Sequence, residues 1–222
     1  MSGPRLVGAL ANHPAAAAFA AEVQRVHRRY ALEAVGAFGL CPHVGARGDE
    51  PDADRHVDSA FGTFVVFLDR DPPHDSVVAI ATELGTSVSH LVFPLVDGDP
   101  AAFERFANRF LDELRSRVSP APVMAVFHPK MSGDAAAPHR LVGILRHAPD
   151  PFIQLVPEGL HTGGTVFAER IDEYVADHSQ RNFERVRGPT LERLRILLDD
   201  VRADRDRSYA PHLARLADPP AR

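Results

Sequence analysis

The stretch Thr63-Phe64-Val65-Val66-Phe67-Leu68 decides the fold. It is a continuous apolar run with no polar alternation, as expected of a strand covered on both faces. Asp71-Pro72-Pro73 then breaks the chain. Val77, Ile80, Ala81 and Leu84 recur at the spacing of a short helix, closed by Gly85. His90-Leu91-Val92-Phe93-Pro94-Leu95-Val96 reads as a second strand, and Pro94 marks it as an edge or a strand end. Asp99-Pro100 has the form of a helix cap followed by proline at the first helical position. Phe103, Phe106, Phe110, Leu114 and Val118 form the clearest apolar stripe of the chain. Val123-Met124-Ala125-Val126-Phe127 is a third strand, ended by His128-Pro129. The rhythm is βαβαβ.

Working outward, residues 14–38 have helical periodicity. Phe19, Val23, Val26, Tyr30 and Ala34 lie opposite Glu22, Arg25, Arg29 and Glu33, and Gly39 is a natural stop. Residues 45–58 and 130–140 read as loops. Leu141–Leu145 and Phe152–Val156 are short apolar runs that periodicity does not assign. A helix is expected over 165–177 after Gly163-Gly164. A last helix opens at Pro189 and carries Leu191, Leu194, Leu198 and Val201, with Arg202–Arg207 as its solvated continuation. The expectation is one α/β domain over 1–222. It has a small mixed or parallel sheet, added N- and C-terminal helices, and frayed ends near 1–12 and 218–222.

The chain has 222 residues, 45% of them hydrophobic, enough for a substantial core. Its formal charge of -5 supplies no basic excess for phosphate neutralisation, so nucleic acid is not an expected partner. No apolar run is long enough to cross a bilayer. The N-terminus lacks the sustained apolar core of a signal peptide, and with a single cysteine the cytoplasm is the expected compartment. Lys130 is the only lysine and directly follows Phe127-His128-Pro129.

Cys41, in Gly39-Leu40-Cys41-Pro42-His43, is the only cysteine, so no intrachain disulfide is possible. It is a nucleophile, a ligand or a small buried hydrophobe. His43 offers a nitrogen two residues from the sulfur. His128 falls at a strand's carboxyl end, where α/β sheets gather ligands. The other ten histidines are scattered and read mostly as surface residues. Phosphate-loop, Rossmann, HExxH, CxxC and GxSxG patterns are absent.

Leu40-Cys41-Pro42, Leu91-Val92-Phe93-Pro94, Phe127-His128-Pro129 and Gly143-Ile144-Leu145-Arg146 occur in that order. Over residues 20–150 this combination resembles the bacterial family known as domain of unknown function 1415. The resemblance implies functional weight at Cys41, His128 and Arg146 but supplies no reaction. Two features depart from the family pattern. His43 stands where Phe is usual, and Pro138-His139-Arg140 fills the place of an Arg-Ser-Pro-Tyr-Pro stretch.

Three readings of Cys41 follow. A nucleophile with His128 as base would lead to a hydrolase or transferase. The apparent position after a helix C-terminus disfavours a free thiolate. Coordination deprotonates the thiol outright and tolerates that position. Cys-Pro is a frequent setting for a haem thiolate, which favours oxygen–oxygen cleavage. His128, Lys130 or Arg146 would then act opposite as acid–base or anion-binding groups. A zinc or iron site from Cys41, His43 and His128 is the variant. The third reading is a structural Cys41 in a cofactor-free, non-enzymatic ligand-binding protein. The favoured expectation is an oxidoreductase acting on a small molecule, with haem or metal held at Cys41 and His43.

Overall fold

The computed structural model describes residues 3–40, 62–85, 87–157 and 173–218, with no side-chain description over 173–179. Five strands form one sheet in the order β1-β2-β3-β5-β4. They are β1 (Arg5–Val7), β2 (Thr63–Phe67), β3 (Ser89–Val92), β4 (Val123–Phe127) and β5 (Phe152–Val156). β1, β2 and β3 pair in parallel, while β5 runs antiparallel between β3 and β4. The sheet is therefore mixed, and β1 to β4 all point the same way.

The apolar run from Thr63 forms β2, with Phe64 to Phe67 buried. Its alternate residues face two different cores. Phe64, Val66 and Leu68 join Val92, Phe127 and Phe152 on one face. Val65 and Phe67 join Leu91, Phe93, Val126, Ile153 and Leu155 on the other. The second face is covered by α2 (His74–Leu84) and α3 (Pro100–Arg117). Asp99 caps α3 by accepting from the Ala102 amide at 3.1 Å, with Pro100 in its first turn. Phe103, Phe110 and Leu114 of the predicted stripe are buried on this face. Each such side chain contributes roughly 1.5–3 kcal/mol on leaving water.

The first face carries α1 (Ala16–Arg29), α4 (Pro138–Leu145) and α6 (Pro189–Ala217). Helix α5 (Glu173–Val186) packs on α4 and α6. The last helix opens at Pro189 as expected. The apolar run Leu141–Leu145 is helical and Phe152–Val156 is a strand, which resolves the two unassigned runs. The loop after β4 ends at Ala137, since Pro138 begins α4.

Four expectations need correction. Arg5–Val7, placed in a frayed end, pairs with Val65–Phe67 as an edge strand. Its neighbouring turn is held by Asp69, which accepts from the Ala9 amide at 2.8 Å. The second strand stops at Val92 rather than Val96. Pro94 marks its end and not a sheet edge, because β3 lies between β2 and β5. The helix expected over 165–177 is helical where it is described, from Glu173, and runs on beyond 177 to Val186; residues 158–172 lie outside the described residues. The helix over 14–38 changes character at Tyr30, where a π-helical segment runs to Gly36. Its wider ladder is visible in Ala37 N–H donating to Leu32 O and Leu40 N–H to Val35 O. A 3.6-residue period does not reveal that widening. Gly39, at φ 60°, terminates the segment as predicted.

Candidate functional site

The carboxyl ends of β2, β3 and β4 lie along one edge of the sheet, and β5 enters from that edge. Three proline turns meet there: Phe93-Pro94, His128-Pro129 and Asp150-Pro151. Phe93 N–H donates to Pro151 O at 2.9 Å, which ties the first turn to the third. Helix α6 lies across them. Arg205 donates to Pro94 O at 3.1 Å, and Arg202 donates to Pro129 O at 3.3 Å. The run read as a solvated helix continuation thus carries two arginines that hold strand-end carbonyls.

Asp150 sits beneath this edge with no exposed surface. It accepts from Tyr209 Oη at 2.8 Å, from His27 Nε2 at 3.1 Å and from Arg205 Nε at 3.0 Å. Burial alone would raise its pKa. The donors from His27, Arg205 and Tyr209 overcome that effect and hold the carboxyl below its ordinary value. Tyr209, buried and next to that carboxylate, is held well above the usual phenol range. The Arg205 guanidinium also lies 4.7 Å from the centre of the Tyr209 ring. This network fastens α1 and α6 to the start of β5. Sequence reasoning missed it, because the four residues are scattered from position 27 to 209. His27 and His90, expected at the surface, are both buried. Phe64 and Phe152 make edge contacts with the His27 ring, at 5.5 and 5.3 Å.

His128 lies at the end of β4, as predicted, and is 2% exposed. Its Nδ1 accepts from the Lys130 amide at 3.1 Å. A backbone N–H has no alternative to donating, so Nδ1 must be the unprotonated nitrogen of a neutral ring. The ring proton then resides on Nε2. That nitrogen is buried and has no hydrogen-bond partner among the described residues. The Asp99 carboxylate and the Gly98 backbone act on the ring in favour of its protonated form. Burial is the larger influence, and with Lys130 it lowers the His128 pKa below its ordinary value. The Lys130 ammonium is exposed and pairs with Asp97 at 3.0 Å.

Arg146 is adjacent through its backbone. His128 N–H donates to Arg146 O at 3.1 Å, and Tyr30 Oη donates to Leu145 O at 3.3 Å. The last turn of α4 therefore joins the Phe-His-Pro turn to the π-helical segment that leads toward Cys41. Leu40 shares a core with Leu141 and Ile144 of α4. Cys41 and His43 themselves lie outside the described residues.

A cleft of about 360 Å³ opens on the other side of the β4–α4 loop, lined by Ser132, Gly133, Asp134, His139, Arg140 and Gly143. Its wall requires glycine. A Cβ on Gly143 would lie 1.8 Å from Ser132 O, and one on Gly133 would lie 2.5 Å from Ile144 N. Arg140 and Asp134 form an ion pair within it. Among the described residues, His74, Asp75 and Glu113 are the one group with metal-ligand character. His74 Nδ1 lies 3.3 Å from Glu113, whose other oxygen is taken by Arg117. Among the described residues the buried His74 Nε2 has no partner, whereas a ligating imidazole ordinarily donates its second N–H. The group reads as an ion-paired helix contact.

Fold and site together define an α/β protein with helices on both faces and a polar, proline-turned carboxyl edge. No helix among the described residues is long and apolar enough to cross a membrane. The chain matches no family model, and neither a curated protein nor a solved structure matches it significantly. The likeness to the bacterial family named above rests on its motifs.

Proposed function

We propose that this protein is a small-molecule enzyme of that bacterial family, with its reacting centre between Cys41 and the carboxyl edge of β4. One observation carries the reading: α4 gathers the Phe-His-Pro turn, Arg146 and the segment leading into Leu40-Cys41-Pro42. The first two belong to motifs that singled out the chain, and the third leads into another. In this reading Cys41 supplies a thiolate to a haem iron or a metal ion, with His43 as the neighbouring nitrogen. A thiolate-ligated centre would supply redox chemistry on oxygen or peroxide.

The tautomer of His128 refines its role. Ligation through Nε2, or general-base catalysis for a thiol, needs a bare Nε2. The Lys130 amide on Nδ1 puts the proton on Nε2 instead. His128 is thus a hydrogen-bond donor to a bound ligand rather than a third metal ligand or a base for Cys41.

Alkylation of Cys41 tests the centre. With only one cysteine, iodoacetamide labelling reports on that thiol alone. Slow labelling of the protein as purified, accelerated after treatment that strips metal and haem, is the expected result. Rapid labelling at neutral pH with no dependence on stripping would replace ligation by the nucleophile reading.

A further inference from the structure

The Pro129–Lys130 peptide has both of its polar groups engaged. Its carbonyl, Pro129 O, accepts from the Arg202 guanidinium of α6 at 3.3 Å. Its amide, Lys130 N–H, donates to His128 Nδ1 at 3.1 Å. Met131 N–H closes the turn on His128 O at 3.2 Å. Proline supplies no N–H, so Lys130 brings the first amide after His128 that can turn back to the ring. Arg202 is itself steered by Asp199, one turn earlier on α6, at 3.2 Å. A guanidinium on a peptide oxygen is a charge-assisted bond, and hydrogen bonds in a chain polarise and strengthen one another. A line of contacts therefore runs from Asp199 through Arg202 and one peptide plane to the imidazole. Asp99, Gly98 and Asp97, in the loop before α3, favour protonation of that ring, and burial with Lys130 opposes it. Among the described residues, the Lys130 N–H is the hydrogen bond that distinguishes Nδ1 from Nε2.

We propose that Arg202 is a positioning residue for His128. By holding Pro129 O it keeps the Lys130 amide on Nδ1, and so keeps the ring proton on Nε2, where a bound ligand can accept it. The inference rests on the reading of His128 as a ligand donor, but no part of it runs through Cys41. Arg202 thus acts on the turn from a different element, and through the backbone rather than by touching the ring.

The ring nitrogens report this directly. In protein carrying isotope-labelled histidine, the His128 signals are assigned by their loss in His128→Gln. In the neutral wild-type ring Nδ1 should be unprotonated and Nε2 protonated. Arg202→Met removes the guanidinium and keeps a long side chain; the Arg202 side chain is 38% exposed, so the variant should fold. It should lower the ratio of the Nε2–H to the Nδ1–H tautomer at least about twofold, up to the roughly tenfold that a whole hydrogen bond carries. The ring should also titrate at higher pH in this variant, because Nδ1 is freer to accept a proton and a nearby cation has gone. Arg202→Lys, which keeps a cationic donor, should lie closer to wild type than to Arg202→Met. Arg195→Met, which removes an exposed arginine of the same helix, should leave the His128 signals unchanged. An unchanged tautomer ratio in Arg202→Met would overturn the proposal. So would a wild-type ring protonated on Nδ1, or equal effects of Arg195→Met and Arg202→Met. A metal-free, colourless protein with the expected ring signals would remove the Cys41 centre and leave this inference standing.

Discussion

Asp150 is the residue on which the carboxyl edge depends. It is fully buried, and three side chains from α1 and α6 donate to it. Replacing it by alanine removes the acceptor shared by the buried His27, Tyr209 and Arg205, although Arg205 keeps its bonds to Pro94 O and Asp206. Breaking a buried pair by removing one partner costs roughly 3–5 kcal/mol, so Asp150→Ala should lose about that much in urea unfolding. The acid dependence has a definite sign. The folded carboxyl titrates below its ordinary value of 3.8, so the unfolded chain binds the proton first as pH falls. The stabilisation is complete above that value and is lost as pH drops through the lower folded pKa. Stability measured from pH 5 down to pH 2 should fall less steeply in Asp150→Asn than in wild type. Equal slopes would remove Asp150 from the account of acid sensitivity.

At the scale of elements, α4 is the hinge of the site, and its position depends on glycine. Gly143 lies against the Ser132 carbonyl, where a methyl group would stand 1.8 Å away. Since both sides of that contact are backbone or helix, neither can yield cheaply. Gly143→Ala should cost about 3 kcal/mol or displace α4 from the β4 loop. Amide exchange at His128, whose N–H bonds to Arg146 O, should then accelerate more than exchange in β2. Uniform acceleration would show that α4 does not hold the turn.

The legibility of these elements differed for physical reasons. β2 and β4 were readable as continuous apolar runs, and α2, α3 and the start of α6 because their apolar residues repeat at one helical period. Arg5–Val7 was not, because a three-residue edge strand has no period. The π-helical turn was not, because one inserted residue does not disturb the apolar stripe. Of the candidate site, His128 was found from its place after a strand, and Lys130 and Arg146 from the motifs. Asp150 and Arg205 were not, since an aspartate before proline and an arginine in a charged helix resemble solvated residues until their partners are known.

For the whole molecule, the sheet orders the chemistry. Four strands deliver their carboxyl ends to one edge, β5 brings Asp150 to it in reverse, and α6 closes over it with Arg202 and Arg205. Helix α4 then links that edge to the segment before Cys41. The central claim is that Cys41 holds a redox centre there. The most direct test is the visible spectrum of the purified protein together with its iron and zinc content per chain, in wild type and Cys41→Ser. The account predicts about one haem or metal ion per chain in wild type. A haem would give a Soret band, and that band or the bound metal would shift or vanish in Cys41→Ser. A colourless wild-type protein with neither iron nor zinc, unchanged by Cys41→Ser, would contradict it.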